Sequence, residues 1–387
     1  MIPYVEIRDK YTLKTVALVE PKEFWAELSY QDVGECELFC AATAKALKAL
    51  QKGCYVTMPN KRFIWVITSV RYTFTAGGAR MISATGYEAK WLLKKRCILT
   101  PKELQGTITS AVYGLVNSNI GTGASYVRGL YKDEANTEPA FVVDTNNILI
   151  DISGTQAPRA NLMEFVNPLL KQYGCGSIVE LVNGVLKYRI FTGEVKTQSV
   201  RFSQSLDNLL ASNYYTDDAD IATSALVVST IEETEKTTTI TKDESGNDVE
   251  ETVETKKSVD YTQIYDTGAE GIDRAEIVVE SKLSTKYETT NENGEVVEKE
   301  TTPNSDLYKG WQIEEAKTKL AEHITKEEIN GEIDLANSKY NFDEHFFLGD
   351  MVRVQDEYFN FFVDPKITKY TFKQDANGYG EEAEYGG

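Results

Sequence analysis

The sequence predicts an α+β protein that is mainly β. Runs of β-branched and aromatic residues, such as 63–67, alternate with turn signals such as Gly77-Gly78 through the first 98 residues. Helix-like patterns are confined to a few segments, and Thr- and Val-rich stretches return after residue 199. Because many short strands occur there with few helices, residues 1–98 predict a small β-barrel or sandwich.

The helices of this first unit are short. Residues 41–51 are rich in Ala, Leu and Lys and are followed by Gly53, a typical helix terminator. Residues 88–95 predict a second helix that closes the unit. Trp25, Trp65 and Trp91 lie in apolar runs and are expected in the core.

The next hundred residues combine both element types and predict an α+β insert. Amphipathic patterns indicate helices at 108–119 and 161–173. The Asn183-Gly184 pair indicates a tight hairpin turn. The strands expected in this insert are 141–143, 148–150, 178–181 and 185–191.

Two acidic segments after residue 231 resemble each other. Both 242–250 and 291–298 have Thr- and Glu-rich arms around a glycine, Gly246 or Gly294. Their β-branched content predicts two long hairpins with tips at these glycines, and a disordered acidic loop is the alternative. Residues 231–302 contain 20 acidic and eight basic residues, so much of the negative charge lies there.

The last part of the chain returns to strands after one helix. The helix is predicted at 306–328, with Asp306 as its cap. Strands are expected at 351–354 and 367–372, and the polar tail 378–387 is expected to be frayed.

The composition excludes several classes. The net charge of −19 argues against a basic nucleic-acid-binding patch. No apolar stretch is long enough for a membrane span, and residues 1–7 predict a strand rather than a signal peptide. Five cysteines without zinc-site spacing are expected to be reduced thiols of a core.

Four segments, in order, resemble the tail-tip hub proteins of siphophages, also called tail-associated or baseplate hub proteins. They are 25–38 (WAELSYQDVGECEL), 91–98 (WLLKKRCI), 200–217 (with VRFS, NLL and YYTD) and 347–354 (FLGDMVRV). In the first segment, Cys36 replaces the aromatic of the family's Gly-x-Phe-Glu-Leu pattern. The motif residues, expected to have structural roles, are Gly34, Glu35, Glu37, Leu38, Arg96, Phe202, Asn208, Leu348, Gly349 and Asp350.

The resemblance implies two tube-like β-barrels per chain, so that three chains present six barrels to a sixfold tail tube. It implies these boundaries: a first barrel at 1–98, an inserted α+β domain at 99–198, a discontinuous second barrel at 199–230, 258–285 and 331–374, acidic hairpins at 231–302 and a helical segment at 303–330.

The resemblance also implies partners and a location. The expected partners are two further copies in a homotrimer, a distal tail protein, the tail tube, the tape measure protein, receptor-binding proteins, and DNA that passes without specific binding. The protein would assemble in the host cytoplasm and reside in the virion at the tail tip.

Motifs for chemistry are weak. Asp243, Ser245, Asn247 and Glu254 fit part of a calcium-loop template, but its glycine is misplaced. No nucleophile elbow or paired-carboxylate context is present, so no enzyme activity, cofactor or metal is expected. For Leu348-Gly349-Asp350, we expect a tight strand entry in which the aspartate satisfies backbone amides.

The leading hypothesis is a structural hub that caps or extends the tail tube, adapts sixfold to threefold symmetry and gates DNA ejection. Two alternatives stay open. One is a tail-tip protein that binds host-surface glycans through loops or hairpin tips, and the other is a cell-wall hydrolase.

Overall fold

The structure is a computed structural model. It describes residues 4–74, 77–125, 127–133, 135, 137–242, 248–291, 295–333, 338–356, 361–376 and 378–386. None of the helices within these ranges is long and apolar enough to cross a lipid bilayer.

The N-terminal part consists of strands around one short helix. Thr43 caps that helix by accepting the N–H of Ala46 at 3.1 Å. Ala89–Lys95, predicted as a helix, forms a 3-10 helix. The elements are β1 (Val5–Arg8), β2 (Thr15–Val19), β3 (Pro21–Ser29), β4 (Glu35–Ala41), α1 (Ala44–Ala49), β5 (Tyr55–Thr57), β6 (Ile64–Phe74) and β7 (Arg80–Glu88).

The insert contains both predicted helices and the predicted hairpin. Asn183 (φ 51°) and Gly184 (φ 75°) both adopt the left-handed conformation that this two-residue turn requires. The elements are β8 (Lys102–Leu104), α2 (Ile108–Asn119), β9 (Phe141–Val143), β10 (Thr155–Ala157), α3 (Leu162–Gln172), β11 (Gly176–Val182) and β12 (Val185–Phe191).

One predicted strand of the insert, 148–150, is wrong. The segment binds the start of α2 instead of a neighbouring strand. Ile150 accepts the N–H of Ile108 at 2.7 Å, and Ile148 donates its N–H to the Thr109 hydroxyl at 3.0 Å. These backbone groups satisfy the helix terminus rather than a sheet ladder.

The C-terminal half is dominated by strands. The elements are β13 (Arg201–Ser203), β14 (Leu209–Asp217), β15 (Ser224–Lys242), β16 (Asp248–Asp266), β17 (Glu276–Glu280), β18 (Lys286–Thr290), β19 (Val296–Glu300), α4 (Asp306–Leu320), β20 (Lys326–Ile333), β21 (Arg353–Asp356), β22 (Phe361–Val363), β23 (Lys366–Asp375) and β24 (Gly378–Gly386).

Two sequence predictions fail in this half. Helix α4 is capped by Ser305, whose hydroxyl accepts the Tyr308 N–H at 3.1 Å, and it ends at Leu320 rather than at residue 328. The predicted frayed tail is strand β24, which lies between β20 and β23 and buries Ala383 and Tyr385.

The acidic segments contain paired strands. β15 and β16 pair antiparallel from Ser224↔Asp266 to Lys242↔Asp248, and β18 pairs with β19. Both predicted tips, Gly246 and Gly294, lie outside the described residues.

Within the described part of the chain, eleven strands form one sheet in the order β14-β20-β24-β23-β3-β4-β7-β6-β5-β1-β2. The pairing of β3 with β23 joins the two ends of the chain in this sheet. Its apolar side covers one core, and the insert has a second core. The division into two barrels stays a prediction.

Candidate functional site

The polar side of the central strands carries a concentration of carboxylates, which we call the acidic face. It spans the neighbouring strands β24, β23, β3 and β4, and its side chains alternate with those of the core. Its members are Glu23, Trp25, Glu27, Glu35, Glu37, Lys369, Thr371, Lys373, Glu382 and Glu384. Six acids against two lysines make the face negative.

Both lysines of the acidic face are paired with acids of the neighbouring strand. Lys369 lies 3.2 Å from Glu384, and Lys373 pairs with Glu382. Glu37 accepts a hydrogen bond from the Ser83 hydroxyl at 2.9 Å. The acids of β3 and β4 therefore carry the net negative charge of the face.

Glu27 has the most perturbed carboxyl of this face. The pKa of Glu27 is raised to about 7, chiefly by burial; the charge of Lys369 opposes this shift, and the charges of Glu384, Glu88 and Glu35 add to it. Burial, with a smaller contribution from the neighbouring acids, therefore keeps part of the Glu27 carboxyl protonated near neutral pH.

Trp25 belongs to the acidic face and not to the core. It lies opposite Glu37 on one neighbouring strand and Lys373 on the other, and 36% of it is exposed. The core prediction is wrong for Trp25 because Phe24 and Ala26 point to the other side of β3. Trp65 is fully buried, as predicted, and Trp91 is partly buried and stacks on Tyr87.

A buried ion pair lies at the end of the acidic face, where the central sheet meets the insert. Glu88 and Lys90 are fully buried with their charged atoms 3.5 Å apart. The Lys90 ammonium donates to the carbonyls of Ser29 (2.5 Å) and Ser177 (2.9 Å). Burial raises the pKa of Glu88 and lowers that of Lys90. Lys90 thus joins β3 to β11 of the insert.

Gly34, a predicted motif residue, fits the same junction. Its N–H donates to the Glu88 carboxylate at 3.3 Å, and its carbonyl accepts the Glu88 N–H at 2.7 Å. A Cβ at this position would overlap the Glu27 carbonyl. Only glycine therefore allows β3 and β4 to approach here.

The Leu348-Gly349-Asp350 motif forms a second junction. The Asp350 carboxylate accepts the N–H groups of Phe347 and Glu194, both at 2.8 Å, and lies 2.9 Å from the Lys196 ammonium. Gly349 has φ +80°, and Leu348 is fully buried. Asp350 thereby ties the start of the last strands to the end of the insert.

The remaining motif residues are separate from the acidic face, except two. Glu35 and Glu37 lie on it, while Leu38 points into the core beneath. Arg96 donates to the Arg128 carbonyl at 2.9 and 2.7 Å. Phe202 is buried, and Asn208 closes a local turn by accepting the N–H of Ser203 and donating to the carbonyl of Arg201.

Sequence reasoning missed Glu27, Glu382, Glu384 and the Glu88–Lys90 pair. Alternation in β3 could have shown that Glu27 shares a face with Trp25. The polar tail predicts fraying, so the sequence gives no signal that places the acids of β24 in a sheet.

The two edges of the eleven-stranded sheet differ in charge. Strand β2 forms one edge, and helix α1 packs beside it. Between them lies a cleft of 580 Å³ lined by Asp9 and by four lysines, Lys10, Lys45, Lys48 and Lys52, which we call the lysine cleft. The other edge, β14, ends at Asp217 and is followed by Asp218 and Asp220.

Four of the five cysteines, Cys36, Cys40, Cys54 and Cys175, are buried free thiols, whereas Cys97 is exposed. Burial raises the pKa of Cys40, Cys54 and Cys175 to about 11. A reduced core thiol is therefore the right description for four of them, and the core prediction is wrong for Cys97.

Comparison with known structures identifies the fold as that of phage tail proteins. The tail protein from Neisseria meningitidis MC58 is 10% identical, with 99% of this chain and 96% of that chain covered and a TM-score of 0.54. The 43 kDa tail protein of prophage MuSo2 from Shewanella oneidensis is 11% identical, with 99% and 97% covered and a TM-score of 0.53.

The family follows from the sequence match. The model of the Siphovirus ReqiPepy6 Gp37-like protein family matches residues 4–386, and the chain belongs to this family. No curated protein matches. The resemblance to siphophage tail proteins is thereby confirmed.

Proposed function

We propose that this protein is a structural, non-enzymatic hub of the phage tail tip. Copies form a homotrimeric ring at the end of the tail tube, adapt sixfold to threefold symmetry, and gate DNA ejection through a central channel lined by the acidic face. The observation that carries this proposal is the acidic face itself, which crosses strands from both ends of the chain.

The electrostatics suit a channel for DNA. Phosphates are repelled by carboxylates, and at physiological salt this repulsion acts over about 8 Å. DNA can therefore move along such a surface without the counterion-releasing contacts through which basic surfaces bind it. The stacking partners of the ring would be the distal tail protein, the tail tube and the tape measure protein.

Ring formation is supported by the two sheet edges. Unpaired strand edges can add a strand from another molecule. The lysine cleft beside β2 and the aspartates after β14 have opposite charge, which suits a head-to-tail contact that closes into a ring. Receptor-binding proteins would attach elsewhere on the ring.

The ends of β6 and β7 offer another contact surface. Phe74 is 69% exposed and Tyr72 is also exposed, and the guanidinium of Arg80 lies over the Phe74 ring. Exposed aromatics beside arginine are typical of protein interfaces. We assign this surface to stacking against a neighbouring ring of the tail.

Exchanging the charges of the lysine cleft and of the aspartates near β14 tests whether these two surfaces form the ring contact. Electron microscopy of the purified protein should show threefold rings with an axial hole. The double variant Lys45→Glu/Lys48→Glu should give monomers, and adding Asp218→Lys/Asp220→Lys in the same chain should restore rings. Lys94→Glu/Lys309→Glu is the matched control. A monomeric wild-type chain, or no rescue by the exchange, would contradict the head-to-tail contact.

DNA ejection from virions that carry variants of the acidic face tests whether this face lines the channel. Replacing Glu23, Glu35 and Glu37 with Lys should slow DNA ejection severalfold while tails still assemble, because phosphates would then bind the channel wall. The control reverses three acids elsewhere, Glu270, Glu298 and Glu300. Equal ejection rates in both variants would exclude the acidic face as the channel lining.

A further inference from the structure

Strands β16, β15 and β17 form a small sheet with two different faces. On one face, Ala225 and Val227 of β15 and Val279 of β17 pack with Ala316 and Leu320 of helix α4. β15 and β17 are parallel, and parallel strands in proteins are normally covered on both faces. The face opposite α4 is therefore expected to have a cover as well.

That face presents a row of aliphatic side chains across all three strands, which we call the aliphatic row. Leu226 of β15 pairs with Ile264 of β16 on one side and with Val278 of β17 on the other. Ile264 is 60% exposed and Val278 is 67% exposed, so the described residues of the chain leave the row largely open. Apolar residues that are exposed side by side mark interaction surfaces, whereas single exposed residues are ordinary.

Acids surround the aliphatic row. Asp266 and Glu276 pair with Ser224, two residues before the row, and Asp260 lies on the same face further along β16. Arg274 donates to Asp266 and, at 2.6 Å, to Glu276, so its charge is already compensated within the chain. The rim of the row is therefore negative, and a partner with a positive rim fits it.

The aliphatic row is continuous with the aspartates that follow β14. The ring nitrogen Nδ1 of His323 lies 3.0 Å from the Asp220 carbonyl oxygen, and the Ala222 N–H donates to the His323 carbonyl at 3.0 Å. His323 lies just after α4, and β15 begins at Ser224. These contacts hold Asp220 at the base of the same small sheet, so the aspartates and the row belong to one surface.

The opposite edge of the eleven-stranded sheet has the complementary character. Val16 and Leu18 lie on the outer face of β2, where they are 50% and 47% exposed. Val16 also lines the lysine cleft, so ammonium groups border these two side chains where carboxylates border the aliphatic row. Two such surfaces can bury their apolar centres together while the opposite charges of their rims face each other.

We propose that the aliphatic row is covered by Val16 and Leu18 of a second copy of this chain. The inference rests on the proposed head-to-tail contact and supplies its apolar centre, whereas the lysines and aspartates form its charged rim. Because the two surfaces are different, each chain offers the aliphatic row to one neighbour and strand β2 to the other.

Sedimentation velocity of the full chain over a range of concentrations tests the proposal. Ile264→Thr/Val278→Thr keeps β-branched side chains in both strands but removes aliphatic surface. It should raise the concentration at which half of the chains associate about tenfold or more. Val16→Thr/Leu18→Thr removes the other side of the same contact and should weaken association to a similar degree.

A matched control and a combined variant make the test specific. Ile240 and Val296 are 60% and 59% exposed but lie on the outer arm and on β19, so Ile240→Thr/Val296→Thr should associate like wild type. Combining the substitutions on the row with those on β2 in one chain should weaken association by clearly less than the product of the two separate factors. Residues that touch each other lose their contact only once.

Three results would overturn the inference. If Ile264→Thr/Val278→Thr associates like wild type, or no more weakly than the control, another molecule covers the row. If the two separate factors multiply fully in the combined variant, the row and β2 do not meet. If the wild-type chain stays monomeric at every concentration, no second copy binds there. Thermal melts show that each variant is folded, and Val16→Thr/Leu18→Thr decides if the variant of the row is not.

Failure of the hub and failure of this contact give different results. Open head-to-tail chains that the Thr variants weaken would contradict the threefold ring but support the contact. Threefold rings that Lys45→Glu/Lys48→Glu disrupts and Ile264→Thr/Val278→Thr leaves intact would support the ring and overturn its apolar centre.

Discussion

The central sheet and the β15–β16 arm are both antiparallel, but their stability has different sources. In the central strands, every second residue enters a continuous apolar core. In the outer arm, residues 234–238 and 254–257 are exposed on both faces. Cross-strand polar pairs such as Lys236–Glu254, at 2.7 Å, contribute little at such exposed positions. The sheet is therefore stabilised by burial of its apolar side, whereas the described part of the outer arm buries little.

Among the described residues of the arm, those at its base are anchored to α4 and β17. Ala225 and Val227 of β15 pack with Val279 of β17 and with Ala316 and Leu320 of α4. The Gln312 amide donates to the Ser229 hydroxyl at 2.9 Å and to the Tyr261 carbonyl at 3.0 Å. An isolated two-stranded hairpin is marginal in water, so the outer arm contrasts with the sheet in stability as well as in burial.

The largest loss of stability is expected when the buried Glu88–Lys90 pair is broken. Lys90→Met leaves Glu88 buried without its partner and removes the donor to Ser29 and Ser177. We expect a loss of about 3–5 kcal/mol in the free energy of unfolding, measured by urea denaturation. Lys94→Met, at an exposed position nearby, is the control. A loss below about 1 kcal/mol would mean that this junction does not hold the sheet to the insert.

A smaller, pH-dependent change in stability is expected when Glu27 of the acidic face is substituted. The folded pKa of Glu27 is about 7, above the unfolded value of about 4.3, so its stabilising contribution is full below pH 4 and is lost as pH rises through 7. Glu27→Gln should therefore be neutral near pH 4.5 and stabilising by about 1 kcal/mol at pH 8. Thermal melts across this range measure it, with Glu37→Gln as control. The same pH dependence in both variants would contradict the assignment.

The smallest effect on stability is expected in the arm. Replacing residues 235–255 by Asn-Gly removes the outer part of the arm, in which the residues of described burial are exposed, and should change the free energy of unfolding by no more than about 0.5 kcal/mol. Ile67→Ala in the buried sheet, expected to cost about 2–5 kcal/mol, is the comparison. If shortening the arm lowers the free energy of unfolding as much as Ile67→Ala does, the outer arm contributes as much to stability as the buried sheet, contrary to this comparison.

Local signals in the sequence predicted several elements correctly. The periodicity of 108–119 gave the exact span of α2, and Asn183-Gly184 gave the β11–β12 turn, because each depends only on neighbouring residues. The prediction of a frayed tail was wrong because the structure of the tail depends on distant residues. Residues 378–386 have a polar composition, and their strand forms only because β20 and β23 lie on both sides of it.

By itself, the sequence determined helices α2 and α3, the β11–β12 hairpin, the family, and the negative charge. Only the tertiary structure decided that β3 pairs with β23, that Trp25 and Glu27 join Glu382 and Glu384 on one face, and that Lys90 meets Glu88 in a buried junction. Helix and turn signals are local. Strand pairing between distant parts of a chain depends on which faces are buried together, and a single sequence does not record that.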